Sequence, residues 1–366
     1  MRLFCLAVAA LTALVLTTSA FAGIRAGGVT VIAGPSLAGP PPKGVTQQAD
    51  ALFFFPKVAT VHVGETVTWQ FHGFHTATFA GPKRPYPFIL PLGGTEPATN
   101  DAAGDPFWWS GSGPLLGISP LSLLPQGPKT ISGPAQVRSS GLVRIIVSTR
   151  KRPPAPYTLT FTRAGTYHYE CAVHSGMRGV VRVLPASSSA PSPAAEEQQG
   201  NVEMQHTVAD WLKLNRTKPS KPLTVLVGAG HNATGAEIAS MFPAKLTANV
   251  GDTVIFRNND ETDVHTVTFG PEKVRLHIEN TFIAPQGKKI LLNPFGAFAS
   301  EPPGSDPVPY DGTNHGNGYL NSGLLFPKGA PAQAGPQSYK VTFALPGTYH
   351  YECVIHSHMD GTIVVH

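Results

Sequence analysis

The sequence predicts an all-β chain built from two repeated units. Its 38 glycines and 36 prolines, with only 13% charged residues, suit loop-rich β structure rather than helical bundles. Its apolar residues, 42% of the chain, fall in short strand-like runs, which argues against disorder. One phrase also occurs twice. Residues 165–179 read Gly165-Thr-Tyr-His-Tyr-Glu-Cys171-Ala-Val-His174-Ser-Gly-Met177-Arg-Gly179, and residues 347–361 read Gly347-Thr-Tyr-His-Tyr-Glu-Cys353-Val-Ile-His356-Ser-His-Met359-Asp-Gly361.

Near the N-terminus stand Arg2, an apolar run from Leu3 to Leu16, and Ala20-Phe-Ala22. That order reads as a secretory signal peptide over residues 1–22, hence export to a periplasmic or extracellular space. The run is too short for a membrane span, so no integral membrane segment is expected after cleavage. Cys5 lies early in the apolar run, away from the cleavage site, which argues against a lipoprotein. The net charge of +5 is thinly spread. It points to an acidic partner surface rather than to nucleic acid.

The repeat extends well beyond the shared phrase. Phe55-Pro-Lys-Val-Ala-Thr60-Val-His-Val-Gly64 matches Phe242-Pro-Ala-Lys-Leu-Thr247-Ala-Asn-Val-Gly251. Val29–Gly34 matches Leu223–Gly228, and His75-Thr-Ala-Thr-Phe79 matches His265-Thr-Val-Thr-Phe269. Two domains follow, 23–184 and 222–366. Residues 185–221 are read as a flexible Ala/Ser/Pro-rich linker, 186–200, with a short amphipathic helix over 203–215.

Strands are expected at Val58–Val63 and Val67–Phe71, at Tyr157–Phe161 and Tyr339–Phe343, at Val180–Val183, and at Leu142–Val147. Each unit carries a long insert between its first His and its Cys. The inserts include Trp108 and Trp109 in one unit and Tyr310–Leu324 in the other. They are expected to cover a sheet edge or to build the contact between the units.

With period two, Tyr167, Tyr169 and Cys171 share an inward face, and His168 and Glu170 the other. His174 and Met177 lie on the turn that follows. His75 is expected to reach the same point from the opposite sheet. A disulfide between Cys171 and Cys353 is the ordinary reading in an oxidising compartment, but the regular C-x2-H-x2-M spacing favours metal ligation. A His2Cys plane with a weak axial Met characterises blue-copper electron transfer. The two sets are His75, Cys171, His174, Met177 and His265, Cys353, His356, Met359.

At these motifs the chain resembles a tandem cupredoxin of plastocyanin/amicyanin type, its ligand loop being similar to that of amicyanin. The resemblance implies two Greek-key β-sandwiches with one type 1 copper each. It also implies an electron port at the exposed edge of His174 or His356. His72 is read as a surface or supporting histidine, and His358 as solvent-facing. In two-domain nitrite reductases the residue before the copper Cys is a His that binds a second copper. Here both positions are Glu. A third metal at His168/Glu170 or His350/Glu352 is therefore the less favoured alternative to a polar strand face.

Multicopper oxidases need several H-x-H pairs and a His-Cys-His element, and the single H-x-H, His356-Ser-His358, falls short. There is no nucleophile elbow, P-loop or dinucleotide fingerprint. The basic run Arg150-Lys-Arg152 reads as a solvated turn. The sequence thus points to an exported carrier of single electrons with a redox protein as partner. Its alternatives are a copper-dependent reductase or oxidase with an extra interface copper, and a copper storage or delivery protein. Arg178 against Asp360, and Phe71–Phe74 against Asp260–Asp263, predict a higher potential in the first unit.

Overall fold

Burial alternates along the strands as the sequence pattern requires. In Tyr157–Phe161 and Ser338–Phe343 every second side chain enters a core, and in Gly165–Glu170 both tyrosines are fully buried while His168 is exposed. The computed structural model describes residues 28–35, 43, 45, 48–81, 88–142, 154–287, 289–330 and 334–366. The signal-peptide reading, the strand reading beyond Leu142 and the basic run at 150–152 lie outside the described residues. The chain is all-β in character, with the strands of the described residues in five sheets.

In the N-terminal half, one five-stranded sheet runs in the order Phe54–Phe55, Gly28–Ala33, Thr66–Phe71, Tyr157–Phe161, Thr130–Ile131. Facing it is Arg138–Ser139, Thr78–Phe79, Gly165–Glu170, Arg178–Leu184, Val58–His62. Trp69, Phe79, Phe161, Tyr167 and Tyr169 interlock in the core between them. The C-terminal half repeats this pairing. Thr224–His231 lies parallel to Thr253–Asn258, which pairs with Ser338–Phe343. In its second sheet Lys245–Ala248, Asp360–Val365, Gly347–Glu352 and Thr268–Phe269 stand side by side. Phe256, Phe269, Phe343 and Tyr351 fill that core.

Three features join the halves. The strand Ala49–Ala51 leaves the N-terminal half and pairs with Ala236–Phe242 of the C-terminal one, placing Asp50 opposite Glu237. The inserts meet as the sequence reading expected of a contact between units. Ile89–Thr95 and Pro114–Ile118 share a sheet with Ile283–Gln286 and Lys289–Leu292. Phe107 and Trp109 meet Phe295 edge-on, Trp109 stacks on Phe298, and Trp108 Nε1 donates to the Ala299 carbonyl at 2.9 Å.

The third feature corrects the linker reading. The helix spans Pro193–Leu214, ten residues earlier at its start than expected. Ser192 caps it by accepting from the Ala195 N–H, Pro193 opens its first turn, and Glu196 faces the positive end. Glu-Glu-Gln-Gln are good helix formers, so the supposed flexible run is half helix. Its buried stripe, Glu196, Gly200, Thr207, Trp211 and Leu214, lies against both halves. Glu196 and Glu203 accept from the Thr60 and Lys57 N–H groups, and Trp211 Nε1 donates to the Asp50 carbonyl at 2.7 Å.

Candidate metal centres

Each repeated phrase ends a strand and turns back at once. Cys171 donates its backbone N–H to the Met177 carbonyl at 2.9 Å, and the Met177 N–H returns to the His174 carbonyl. Cys353, Met359 and His356 repeat the pattern. The thiol, imidazole and thioether of one short loop therefore share one end of the sandwich.

The first histidine arrives differently from the expectation. Thr78–Phe79 pairs with Gly165–Glu170, so His75 approaches along the neighbouring strand of the same sheet, not from the opposite one. Thr268–Phe269 places His265 likewise beside Gly347–Glu352. Strand adjacency is a long-range property that local alternation does not encode.

The donor atoms converge. His75 Nδ1 and His174 Nδ1 lie 3.0 Å apart, with Cys171 Sγ 3.6 Å from His174 Nδ1. In the other half the corresponding distances are 3.1 and 3.6 Å. His75, Cys171, His174 and Met177 are all buried, as are His265, Cys353 and Met359; His356 retains 23% of its side-chain exposure. Both thiols are free and each sits in its own cluster. Two imidazole nitrogens and a thiolate, with a buried thioether in the same loop, form the donor set that copper prefers.

Several supporting residues escaped the sequence reading, although the repeat marks them. The Thr76 N–H donates to Cys171 Sγ at 3.4 Å, and its hydroxyl accepts from the Ala172 N–H; Thr266 does the same for Cys353 and Val354. Gly34 and Gly228 have φ of +93° and +69°. A Cβ at Gly228 would run into the Nε2 edge of His265, and one at Gly34 into the His72 carbonyl first and the His75 ring next, so only glycine fits either position.

Burial alone would push the Cys171 thiol up, but the charge and hydrogen bonds of His174 and His75 hold it well below the ordinary thiol range. Cys353 is lowered in the same way by His265 and His356. Burial would depress His174, yet the Cys171 thiolate, Asp263 and Asp50 raise it to about 9. The clusters are thiolate–imidazolium sets until a metal replaces the proton.

The outer edges of these rings meet carboxylates. His174 Nε2 and His356 Nε2 both face Asp263 Oδ2, at 3.7 and 3.2 Å, and His265 Nε2 faces Asp260 Oδ2 at 3.7 Å. In the sequence these aspartates stand only as neighbouring charges of one unit, beside His265.

Four further histidines were singled out in the sequence. His72 and His358 are exposed, as read. Glu170 lies 3.8 Å from Arg178, and Glu352 takes Arg275 at 3.1 Å, while His168 and His350 are exposed. Neither pair belongs to a ligand cluster within the described residues of one chain.

No family model and no curated protein matches the chain. Solved structures to which it is similar include reduced auracyanin from Roseiflexus castenholzii, at 19% identity over 35% of this chain and 87% of that one, TM-score 0.22. Another is a purple cupredoxin from Nitrosopumilus maritimus, at 17% over 39% and 98%, TM-score 0.21. A third is oxidised plastocyanin from Dryopteris crassirhizoma, at 19% over 39% and 99%, TM-score 0.19. At such identities only folds are comparable, and no residue role passes from these proteins to this one.

Proposed function

We propose that the chain is an exported protein that carries single electrons through two type 1 copper sites, one in each of two cupredoxin-like units, 23–184 and 222–366. The observation that carries this reading is the convergence of one Sγ and two Nδ1 atoms in each half, with Met177 or Met359 buried in the same loop. Copper bound there supplies a one-electron couple. The chain's own residues hold the donors still: Thr76 and Thr266 pin the sulfurs, and Gly34 and Gly228 admit the rings. A donor set fixed by a stiff sheet reorganises little between oxidation states, which favours electron transfer over chemistry at the metal.

Of the two electron ports the resemblance implied, His174 and His356, exposure favours the second. His174 is only 7% exposed, and its edge faces Asp263 rather than solvent. His356 keeps more exposure and is the outer port, so an electron from a redox protein enters there and passes to His174 across Asp263. Copper analysis of the purified protein, with visible and electron-spin spectra, tests this. Two coppers with thiolate charge-transfer absorption are expected. Exchangeable copper without that absorption would favour storage or delivery.

A further inference from the structure

A second group of potential ligands lies between the two His2Cys clusters. Asp50 and Glu237 are direct cross-strand partners, an arrangement in which like charges repel. Glu237 is 3% exposed, Asp260 is fully buried and Asp263 is 8% exposed. Glu237 Oε1 and Asp260 Oδ2 have no hydrogen-bond partner. Among the described residues, the ion pairs of Asp260 and Asp263 are all with imidazoles, and Glu237 has none. A buried carboxylate without a partner is costly, and a cluster of them more so.

The geometry around Glu237 is that of a ligand. Its carboxylate lies within 4.8 Å of donor atoms of Asp263 and His356, and equally of Asp260 and His265. The two histidines turn Nδ1 inward to the cysteines, so their Nε2 edges face Asp263 at 3.2 Å and Asp260 at 3.7 Å, the latter too far for a hydrogen bond. Asp260 Oδ1 is fixed by the Thr262 N–H and hydroxyl, and Asp263 Oδ1 by the Val264 N–H. Such outer contacts orient a ligand shell. An open cleft of about 1690 Å³, lined by Asp50, Glu237, Asp263, His174 and His356, gives a path in and room for water ligands.

We infer that Glu237 and Asp263, with Asp50 beside them in the cleft, hold a hard divalent cation between the two copper clusters, while Asp260 is a neighbouring carboxylate of Glu237. Carboxylate oxygens with water select the Mg²⁺, Ca²⁺ and Mn²⁺ class over thiolate-seeking metals. The cation offsets the carboxylates that the imidazoles leave uncompensated. This site goes beyond the proposed electron transfer and does not depend on it.

The test is titration of the full-length, copper-loaded, reduced protein with Mn²⁺, followed by the electron-spin signal of free Mn²⁺. One Mn²⁺ per chain is expected, displaced by excess Mg²⁺ or Ca²⁺. Glu237→Gln should bind at least tenfold more weakly, while Glu272→Gln, exposed and off the cleft, should bind like wild type. The visible spectrum of each reoxidised variant reports whether its copper loops are intact. If Glu237→Gln does not fold, Asp50→Asn makes the same comparison. Absence of stoichiometric Mn²⁺ binding, or binding unchanged by Glu237→Gln, overturns the inference; the cluster is then neutralised by protons alone. Failure of the copper reading would appear separately, in the spectra.

Discussion

His174 and His356 turn the Nε2 edges of their rings toward one carboxylate, Asp263, although they belong to different halves of the chain. The loop Asn258–His265 is three residues longer than its counterpart Phe71–His75, and that extra length carries Asp260 and Asp263 into the contact. Two ligand loops that would otherwise face solvent therefore face each other. In the proposed function this makes the pair a relay, with one shared charge acting on both ends.

Asp263→Asn is accordingly expected to raise both copper potentials. A unit charge about 8 Å away at an effective dielectric of ~40 contributes roughly 1 kcal/mol. That is roughly 45 mV for a one-electron couple. The site of His356 should shift somewhat more, being nearer. Redox titration of the variant checks this, and a shift confined to one site would mean that Asp263 serves that site alone.

Asp260 reaches only His265, so Asp260→Asn should raise the C-terminal potential and leave the N-terminal one nearly unchanged. In the unaltered protein the N-terminal site is expected to be the higher. Cys171 accepts N–H hydrogen bonds from both Thr76 and Val173, whereas the Cys353 bond comes from Thr266. Hydrogen bonds to the sulfur favour the reduced state. Spectrally resolved redox titration gives the order of the two sites.

In the copper-free protein the thiolate–imidazolium sets dictate how stability follows pH. Below pH 6.5 the unfolded chain carries the protons of both Cys171 and His174, while the folded pair keeps only that of His174. Stability therefore rises with pH there, by about 1.4 kcal/mol per unit for each thiolate. Between 6.5 and about 9, the depressed Cys171 and the raised His174 offset each other, because folded and unfolded states bind equal numbers of protons. Urea midpoints should climb to pH 6.5 and then level. A steady decline from 6.5 to 9 would mean that the thiol stays protonated beside the imidazole.

Trp109 is 1% exposed and stacks on Phe107 at 5.0 Å and on Phe298 at 5.9 Å. Trp109→Ala is expected to cost about 3–5 kcal/mol, the range for deleting a buried aromatic. Trp108 is 37% exposed and has one hydrogen bond, to Ala299, so Trp108→Ala should cost only about 1 kcal/mol. Denaturant titration separates the two. Equal losses would show that the insert contact does not lock through Trp109.

The ligand loops were legible because three donors fall within seven residues, a spacing that survives any error in tertiary reasoning. The inward tyrosines beside Cys171 followed from alternation alone. The origin of His75 did not, because strand adjacency depends on pairing between distant segments. The helix from Pro193 was hidden by a low-complexity composition, though its Ser192 cap, Pro193 and Glu196 were all present as signals. The carboxylate cluster was invisible for a different reason. Asp50 and Glu237 meet only because Ala49–Ala51 crosses to the other half's sheet, and nothing local marks that crossing.

The central claim is two independent type 1 coppers per chain, and copper counting on the wild type and two single variants tests it most directly. The wild type should bind two coppers, with Cys171→Ser keeping the blue site of Cys353 and Cys353→Ser keeping that of Cys171. One copper in the wild type, or loss of all blue absorption in either variant, would contradict it.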